Sequence, residues 1–177
     1  GNTGAGFNRY DYAGNNPYSF TDPDGREVTA IYSHDNESLF MVDNDTRQSA
    51  FVQAESGGKP FGAAAAPGQY EILERQGRAG FYRLESDDDN FGDDKNPEGQ
   101  TMLRLHGPGR TIGCIEMCAT DGAKKVDSLL DKTAWKTSQV DSKGLGGLTG
   151  RPDVLRSFGS LHVLSHGYSI NFNLKTE

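Results

Sequence analysis

Residues 27–54 alternate apolar and polar side chains with the period of two that a half-buried β-strand imposes. Val28, Ala30 and Tyr32 fall on one face, followed by Leu39, Met41 and Asp43, then by Ala50, Val52 and Ala54. His34-Asp35-Asn36-Glu37 and Asp43-Asn44-Asp45 supply the turns between them. The segment therefore predicts a β-meander with one face on a core. A chain of 177 residues can bury one such core. Its modest apolar share of 34 % and its 23 glycines fit a loop-rich, mainly β (α+β) protein better than a helical bundle.

The rest of the chain extends this pattern. Residues 57–60 and the alanine run 63–66 read as a connection, after which Pro67-Gly68 turns into a strand over 69–75. Further strands are expected over 80–85 and 101–105. Helical spacing appears in 120–132, where Ala123, Val126, Leu129 and Leu130 share a face, with Thr120 placed to cap the start and Lys132 near the negative end. A Gly-rich loop over 143–150, a second short helix over 152–157 and strands within 160–174 complete the expectation. No apolar stretch approaches the length of a membrane span. The formal charge of −7 weighs against nucleic acid as partner, because phosphate neutralisation needs clustered Lys and Arg. The run ESDDDNFGDD over 85–94 lacks the ligand alternation, central Gly and closing Glu of a calcium loop, and predicts a solvated acidic loop.

The segment Leu103-Arg104-Leu105-His106-Gly107-Pro108-Gly109-Arg110-Thr111-Ile112-Gly113-Cys114-Ile115-Glu116-Met117 carries the chemistry. A strand delivers His106, a Gly/Pro loop lets the backbone double back, and Cys114 follows a glycine. Thiolate is the nucleophilic form of cysteine, so an imidazole able to take the thiol proton is what covalent catalysis requires. Cys114 is accordingly the candidate nucleophile and His106 its base. Gly107, Thr111 and Gly113 shape the loop, and the backbone N–H groups at Gly113 and Cys114 are placed to cradle an oxyanion. Cys118, the only other cysteine, reads as a small packing residue. A disulfide to Cys114 would silence the nucleophile. A zinc site would need His106, both cysteines and His162 or His166. His34, His162 and His166 read as surface or packing histidines, with His166 the second candidate for the base.

His106-Gly107, the glycine-bearing loop and Thr111-Ile112-Gly113-Cys114-Ile115 together resemble the active-site signature of L,D-transpeptidases of the YkuD type. The resemblance continues upstream in the same order, through the early strands, Ser56-Gly57 and the strand entry Ala66-Pro67-Gly68-Gln69-Tyr70-Glu71-Ile72. Glu116 stands where that family carries an arginine suited to a substrate carboxylate. Arg104, Arg110 and Tyr70 are therefore the candidate substrate-binding residues. The resemblance implies a β-sandwich or barrel with one or two short helices, and an acyl-enzyme on Cys114 resolved by water or an amine. It implies no cofactor and no metal. The implied substrate is the peptidoglycan stem peptide, cut between meso-diaminopimelate and D-Ala or exchanged there.

Arg9-Tyr10-Asp11-Tyr12-Ala13-Gly14-Asn15-Asn16-Pro17 with Asp22-Pro23-Asp24-Gly25 resembles the end of the repeat core of Rhs polyproteins. That likeness implies a boundary after residue 25, with 1–25 closing the Rhs core and 26–177 forming a toxin domain, and the short site centred on Gly113-Cys114-Ile115 resembles that of L,D-transpeptidase-related antibacterial effectors exported by type VI secretion systems. The implied partners are the remaining Rhs shell and a cognate immunity protein, and the implied place of action is the periplasm of a rival bacterium. No secretory signal opens the sequence, which fits a cytosolic protein or a fragment carried by a larger machine. A toxin of another class on the same carrier, such as a nuclease or an NAD-directed enzyme, and a non-catalytic wall-binding module are the alternatives.

Overall fold

The computed structural model describes residues 28–57, 62–75, 78–109, 113–141 and 153–168. The boundary at residue 25, the loop 143–150 and the strand expected beyond 168 lie outside the described residues. So do Arg110, Thr111 and Ile112.

Among the described residues the fold is mainly β, as the alternation predicts, with one helix. The strands are β1 (Val28–Ser33), β2 (Ser38–Asp43), β3 (Ser49–Ser56), β4 (Gly68–Glu74), β5 (Phe81–Ser86), β6 (Arg104–His106), β7 (Ile115–Met117), β8 (Lys136–Val140) and β9 (Asp153–Leu164), with α1 (Thr120–Leu130) between β7 and β8. Spatial order is β1-β2-β3-β7-β6-β5-β4-β9-β8, and β9 also pairs with β1. That last pairing closes eight strands into a barrel and leaves β8 on the first half of β9. The closure is parallel and begins at Val28 opposite Gly159. A Cβ on Gly159, whose φ is +138°, would lie 2.1 Å from the Val28 carbonyl oxygen, so only glycine admits this seam.

β3 buries its alternating positions, β2 buries Leu39, Met41 and Asp43 with half-buried residues between them, and β1 is buried along its whole length. Val28, Ala30, Tyr32, Leu39, Met41, Ala50, Val52 and Ala54 line the core with Tyr70, Ile72, Leu105, Ile115, Met117 and Leu161. Ala123, Val126, Leu129 and Leu130 of α1 join the same core, the four residues that helical spacing picks out. α1 packs against β3 and β7, where Gly122 would set a Cβ 3.3 Å from Val52.

Three local expectations are corrected. Thr120 is the first helical residue rather than the cap; Ala119 occupies the cap with no side-chain hydrogen bond. Residues 153–157 are strand, not helix, because β8 pairs with them from Lys136↔Ser157 to Val140↔Asp153. The acidic run is solvated only in its middle. Glu85 is 0 % and Asp94 3 % exposed. Glu85 Oε1 accepts hydrogen bonds from the Gly92 and Asp94 N–H groups, at 2.8 and 3.0 Å. Its other oxygen pairs with Arg83. The run thus folds back over β5 and β6 instead of projecting into water.

Candidate active site

Core-facing residues of β5, β6 and β7 are Tyr82, Leu84, Leu105, Ile115 and Met117. Alternation puts Phe81, Arg83, Glu85, Arg104, His106 and Glu116 on the opposite face. The register sets Phe81 against His106 across β5 and β6, and His106 against Glu116 across β6 and β7. β6 and β7 are parallel neighbours, which ordinarily need a crossover of a dozen or more residues. Here each strand is three residues long, so the return path is only roughly 10 Å and a Gly/Pro loop spans it. Short strands are what allow the loop to be short.

That loop turns at two glycines. Gly113 has φ +83°, and a Cβ there would lie 3.0 Å from the Ala63 carbonyl oxygen. Ser56 Oγ holds the turn by donating to the Gly113 carbonyl at 3.2 Å and accepting from the Ala65 N–H at 2.8 Å. Gly107 would set a Cβ 3.2 Å from that of Ala123, so α1 presses directly on the residue after His106.

His106 is 3 % exposed and Cys114 half-buried. The imidazole Nδ1 is 2.6 Å from the Gly107 carbonyl oxygen. A carbonyl only accepts, so Nδ1 carries the hydrogen and Nε2 is left as the basic nitrogen. Cys114 is the side-chain hydrogen-bond partner of this imidazole. Burial by itself would lower the affinity of His106 for a proton. The Cys114 hydrogen bond, the Gly107 carbonyl and the charges of Cys114 and Glu116 outweigh it, and the net shift is upward. The Cys114 sulfur also lies 3.7 Å from the Met102 carbonyl oxygen. Met102 has φ +59°, a backbone state uncommon for a residue with a side chain, and is 57 % exposed. Two acceptors therefore flank one thiol, and only the imidazole can take its proton.

Three neighbours were not foreseen from sequence. Phe81 stacks on His106 with ring centroids 4.9 Å apart and planes 11° from parallel. Glu116 Oε1 accepts the Gly109 N–H at 2.8 Å, which ties the loop down beside the imidazole. Met102 arrives at the end of the acidic segment, a placement with no local signal. Glu116, which the sequence marks only as standing in place of an arginine, has the right parity to face a histidine on the neighbouring strand.

Two candidate substrate-binding residues are corrected. Arg104 is 8 % exposed and makes a two-point contact with Asp94, at 2.7 and 3.0 Å, while also donating to the Leu103 carbonyl. Tyr70 is 2 % exposed; its hydroxyl donates to the Ala66 carbonyl at 2.8 Å and accepts from Asn96 at 3.2 Å. Both side chains are consumed by the scaffold. Arg110 and Thr111 lie outside the described residues.

The other histidines stand apart from the sulfur's partner. His166 Nδ1 is 2.9 Å from Asp35 Oδ1, and its ring stacks on His34 at 5.1 Å; His34 Nε2 contacts the Ala65 carbonyl. His162 is exposed on β9. Neither cysteine is in a disulfide. Four residues of extended chain separate them by roughly 13 Å, beyond the reach of a disulfide. Cys118 is half-buried, and its thiol is pushed up by burial and by Glu55. Among the described residues no group of three His, Cys, Asp or Glu side chains is placed to hold a metal ion.

No protein-family model matches the sequence, and no curated protein does. Among solved structures, the chain is similar to a fused zinc-dependent amidase/peptidase/peptidoglycan-binding domain-containing protein from Clostridium acetobutylicum, at 11 % identity over 78 % of this chain and 52 % of that one, with a TM-score of 0.40. It is similar to L,D-transpeptidase 1 of Mycobacterium tuberculosis at 11 % identity over 79 % and 63 %, TM-score 0.40. A structure of an L,D-transpeptidase in complex with imipenem gives 11 % over 79 % and 60 %, TM-score 0.39. The chain thus spans between half and two thirds of the length of these structures.

Proposed function

We propose that this chain is a cysteine acyl-transfer enzyme acting on peptidoglycan stem peptides, with Cys114 as nucleophile and His106 as base, and that it is the toxin portion of an Rhs polyprotein acting in the periplasm of a competing bacterium. The observation that carries the chemistry is the fixed tautomer. Gly107 holds the hydrogen on Nδ1, so the remaining nitrogen is free to accept the thiol proton of Cys114. The substrate class and the toxin role rest on the sequence resemblances.

In the proposed reaction His106 takes the Cys114 proton, and the thiolate attacks the carbonyl carbon linking meso-diaminopimelate to D-Ala. The oxyanion forms against the backbone N–H groups at Gly113 and Cys114. The imidazolium returns the proton to the departing D-Ala amine as the C–N bond breaks, leaving a thioester on Cys114. Water releases a tripeptide, or the amine of another D-amino acid restores an amide. In either case His106 removes the incoming proton and the Cys114 thiol is regenerated.

The test is to incubate the purified chain with tetrapeptide muropeptides, with and without a second D-amino acid, and read the product masses. Loss of one D-Ala or its replacement, absent in Cys114→Ala, is the expected result. Unchanged muropeptides under conditions where Cys114 alkylates would overturn the substrate assignment. Toxicity is expected only when the chain is expressed with an added export signal; killing from the cytosol alone would favour a different toxin class.

A further inference from the structure

Beside Phe81, whose ring stacks on His106, a cavity of about 210 Å³ opens between the β4–β5 hairpin, the second half of α1 and β9. Its walls carry opposite charge. On the hairpin stand Arg75 and Arg78, whose guanidinium carbons lie 5.6 and 3.6 Å from the Phe81 centroid. Among the described residues neither forms an ion pair. On the helix side stand Asp127 and Asp131, one turn apart. Burial and then the charge of Asp131 raise the proton affinity of Asp127, although Tyr82 donates to its Oδ1 at 3.0 Å. Gly80, with φ +71°, brings the hairpin close enough that a Cβ there would lie 3.4 Å from Asp127 Oδ2. Arg156 also lines the cavity, but its Nε is taken by Glu74 at 2.7 Å and its guanidinium lies over Trp135 and Phe158.

A lone anion drawn to the arginines would face two carboxylates. A lone cation drawn to the carboxylates would face two guanidiniums. The volume lies below the roughly 300 Å³ at which drug-sized sites begin. We propose that this cavity binds an α-amino acid zwitterion, with its carboxylate on Arg75 and Arg78 and its ammonium on Asp127 and Asp131. Planar guanidinium matches carboxylate geometry, and stacking on Phe81 holds Arg78 in place before the ligand arrives. The assignment is independent of the acyl-transfer reading, because binding needs no turnover.

The test uses the full chain carrying Cys114→Ala, so that no reaction confuses binding, in calorimetric titrations. D-alanine and a stem tripeptide, whose diaminopimelate side chain ends in a zwitterion, are compared with alaninamide and N-acetylalanine, each of which keeps one charge. Saturable binding of at least one zwitterion is expected, with the single-charge analogues weaker by about tenfold or more. Binding of D-alanine alone identifies a free amino acid as the ligand, and binding of the tripeptide alone identifies a peptide side chain. Asp127→Asn, which preserves an acceptor for Tyr82, and Arg78→Gln should each lower the affinity by about tenfold. Arg75→Gln replaces the latter if Arg78→Gln fails to give the native circular dichroism spectrum. Equal affinity for the single-charge analogues, unchanged affinity in the folded variants, or no saturable binding would overturn the proposal.

Discussion

Phe81 lies flat against His106, with 4.9 Å between ring centroids, and the Arg78 guanidinium carbon lies 3.6 Å from the centroid of the same Phe81 ring. The imidazole therefore rests on the electron-rich face of an aromatic ring, which favours its protonated form. Phe81→Leu keeps the apolar contact and removes the quadrupole. Its expected effect is a drop in the His106 titration midpoint matching about 0.5–1 kcal/mol, followed by NMR on the ring protons. An unmoved midpoint would reduce the stack to packing.

The two cysteines should separate by reactivity. Cys114 has an imidazole partner, whereas Cys118 has its thiol pushed up by burial and by the Glu55 carboxylate. Iodoacetamide followed by mass spectrometry should label Cys114 first in the native chain. Cys118→Ala should leave that rate within about twofold, and His106→Ala should slow it by an order of magnitude or more. Prior labelling of Cys118 would contradict the arrangement.

Much of the fold was legible because strands β1 to β3 each set one face on the core, so period-two alternation maps directly onto Val28, Leu39, Ala50 and their partners. β8 was not, since only Val140 of its five residues is buried and an edge strand needs no apolar face. The first half of β9 looked helical because Val154 and Leu155 form a short apolar run, which periodicity alone does not assign. The proximity of His106 and Cys114 was readable from one short segment. Phe81, Met102 and the fates of Arg104 and Tyr70 were not, because they depend on which distant strands pair and on where the acidic segment folds back.

Glu116 should contribute to the pH response of the site. Against burial, which acts to lower it, the Cys114 hydrogen bond, the Gly107 carbonyl and the charges of Cys114 and Glu116 raise His106 above the ordinary histidine value of 6.5. A base with a raised folded value stabilises the fold below its unfolded value near 6.5, and that contribution disappears as pH climbs through the folded value. Glu116→Gln removes one source of the shift and loosens the Gly109 N–H contact. The expected result is a lower His106 midpoint by NMR and a smaller decline in denaturation midpoint between pH 6 and 8. A midpoint that rises in the variant would reverse the assigned role.

Closure of the barrel should depend on Gly159 far more than on Gly99, although both have positive φ. A Cβ at Gly99 meets nothing within 4 Å, so Gly99→Ala should cost only about 1 kcal/mol of backbone strain. At Gly159 the same atom would overlap the Val28 carbonyl, and β1 and β9 must part or shift. Gly159→Ala should therefore cost about 3 kcal/mol or more, read from urea denaturation. Equal costs at the two positions would mean that the seam between β1 and β9 is not as tight as the geometry requires.

Arg104 provides a test of scaffold against substrate binding. Its two nitrogens meet both oxygens of Asp94, and its Nε is buried without a partner. Asp94→Asn would leave a buried guanidinium short of its counter-charge, a loss expected to cost about 3–5 kcal/mol. Arg104→Met leaves Asp94 with Arg83, whose Nε is 3.6 Å away, and should cost less. The double variant should fall well short of the sum of the two singles, since neither partner is then stranded. Because Asp94 also accepts the Met102 N–H through its backbone carbonyl, 3.1 Å away, the segment that reaches Cys114 keeps that anchor in all three variants. The folded double variant should therefore retain the parent rate of Cys114 alkylation and the parent KM for a muropeptide substrate. A KM raised tenfold or more with the fold intact would return Arg104 to the substrate site and contradict its place beneath the acidic segment.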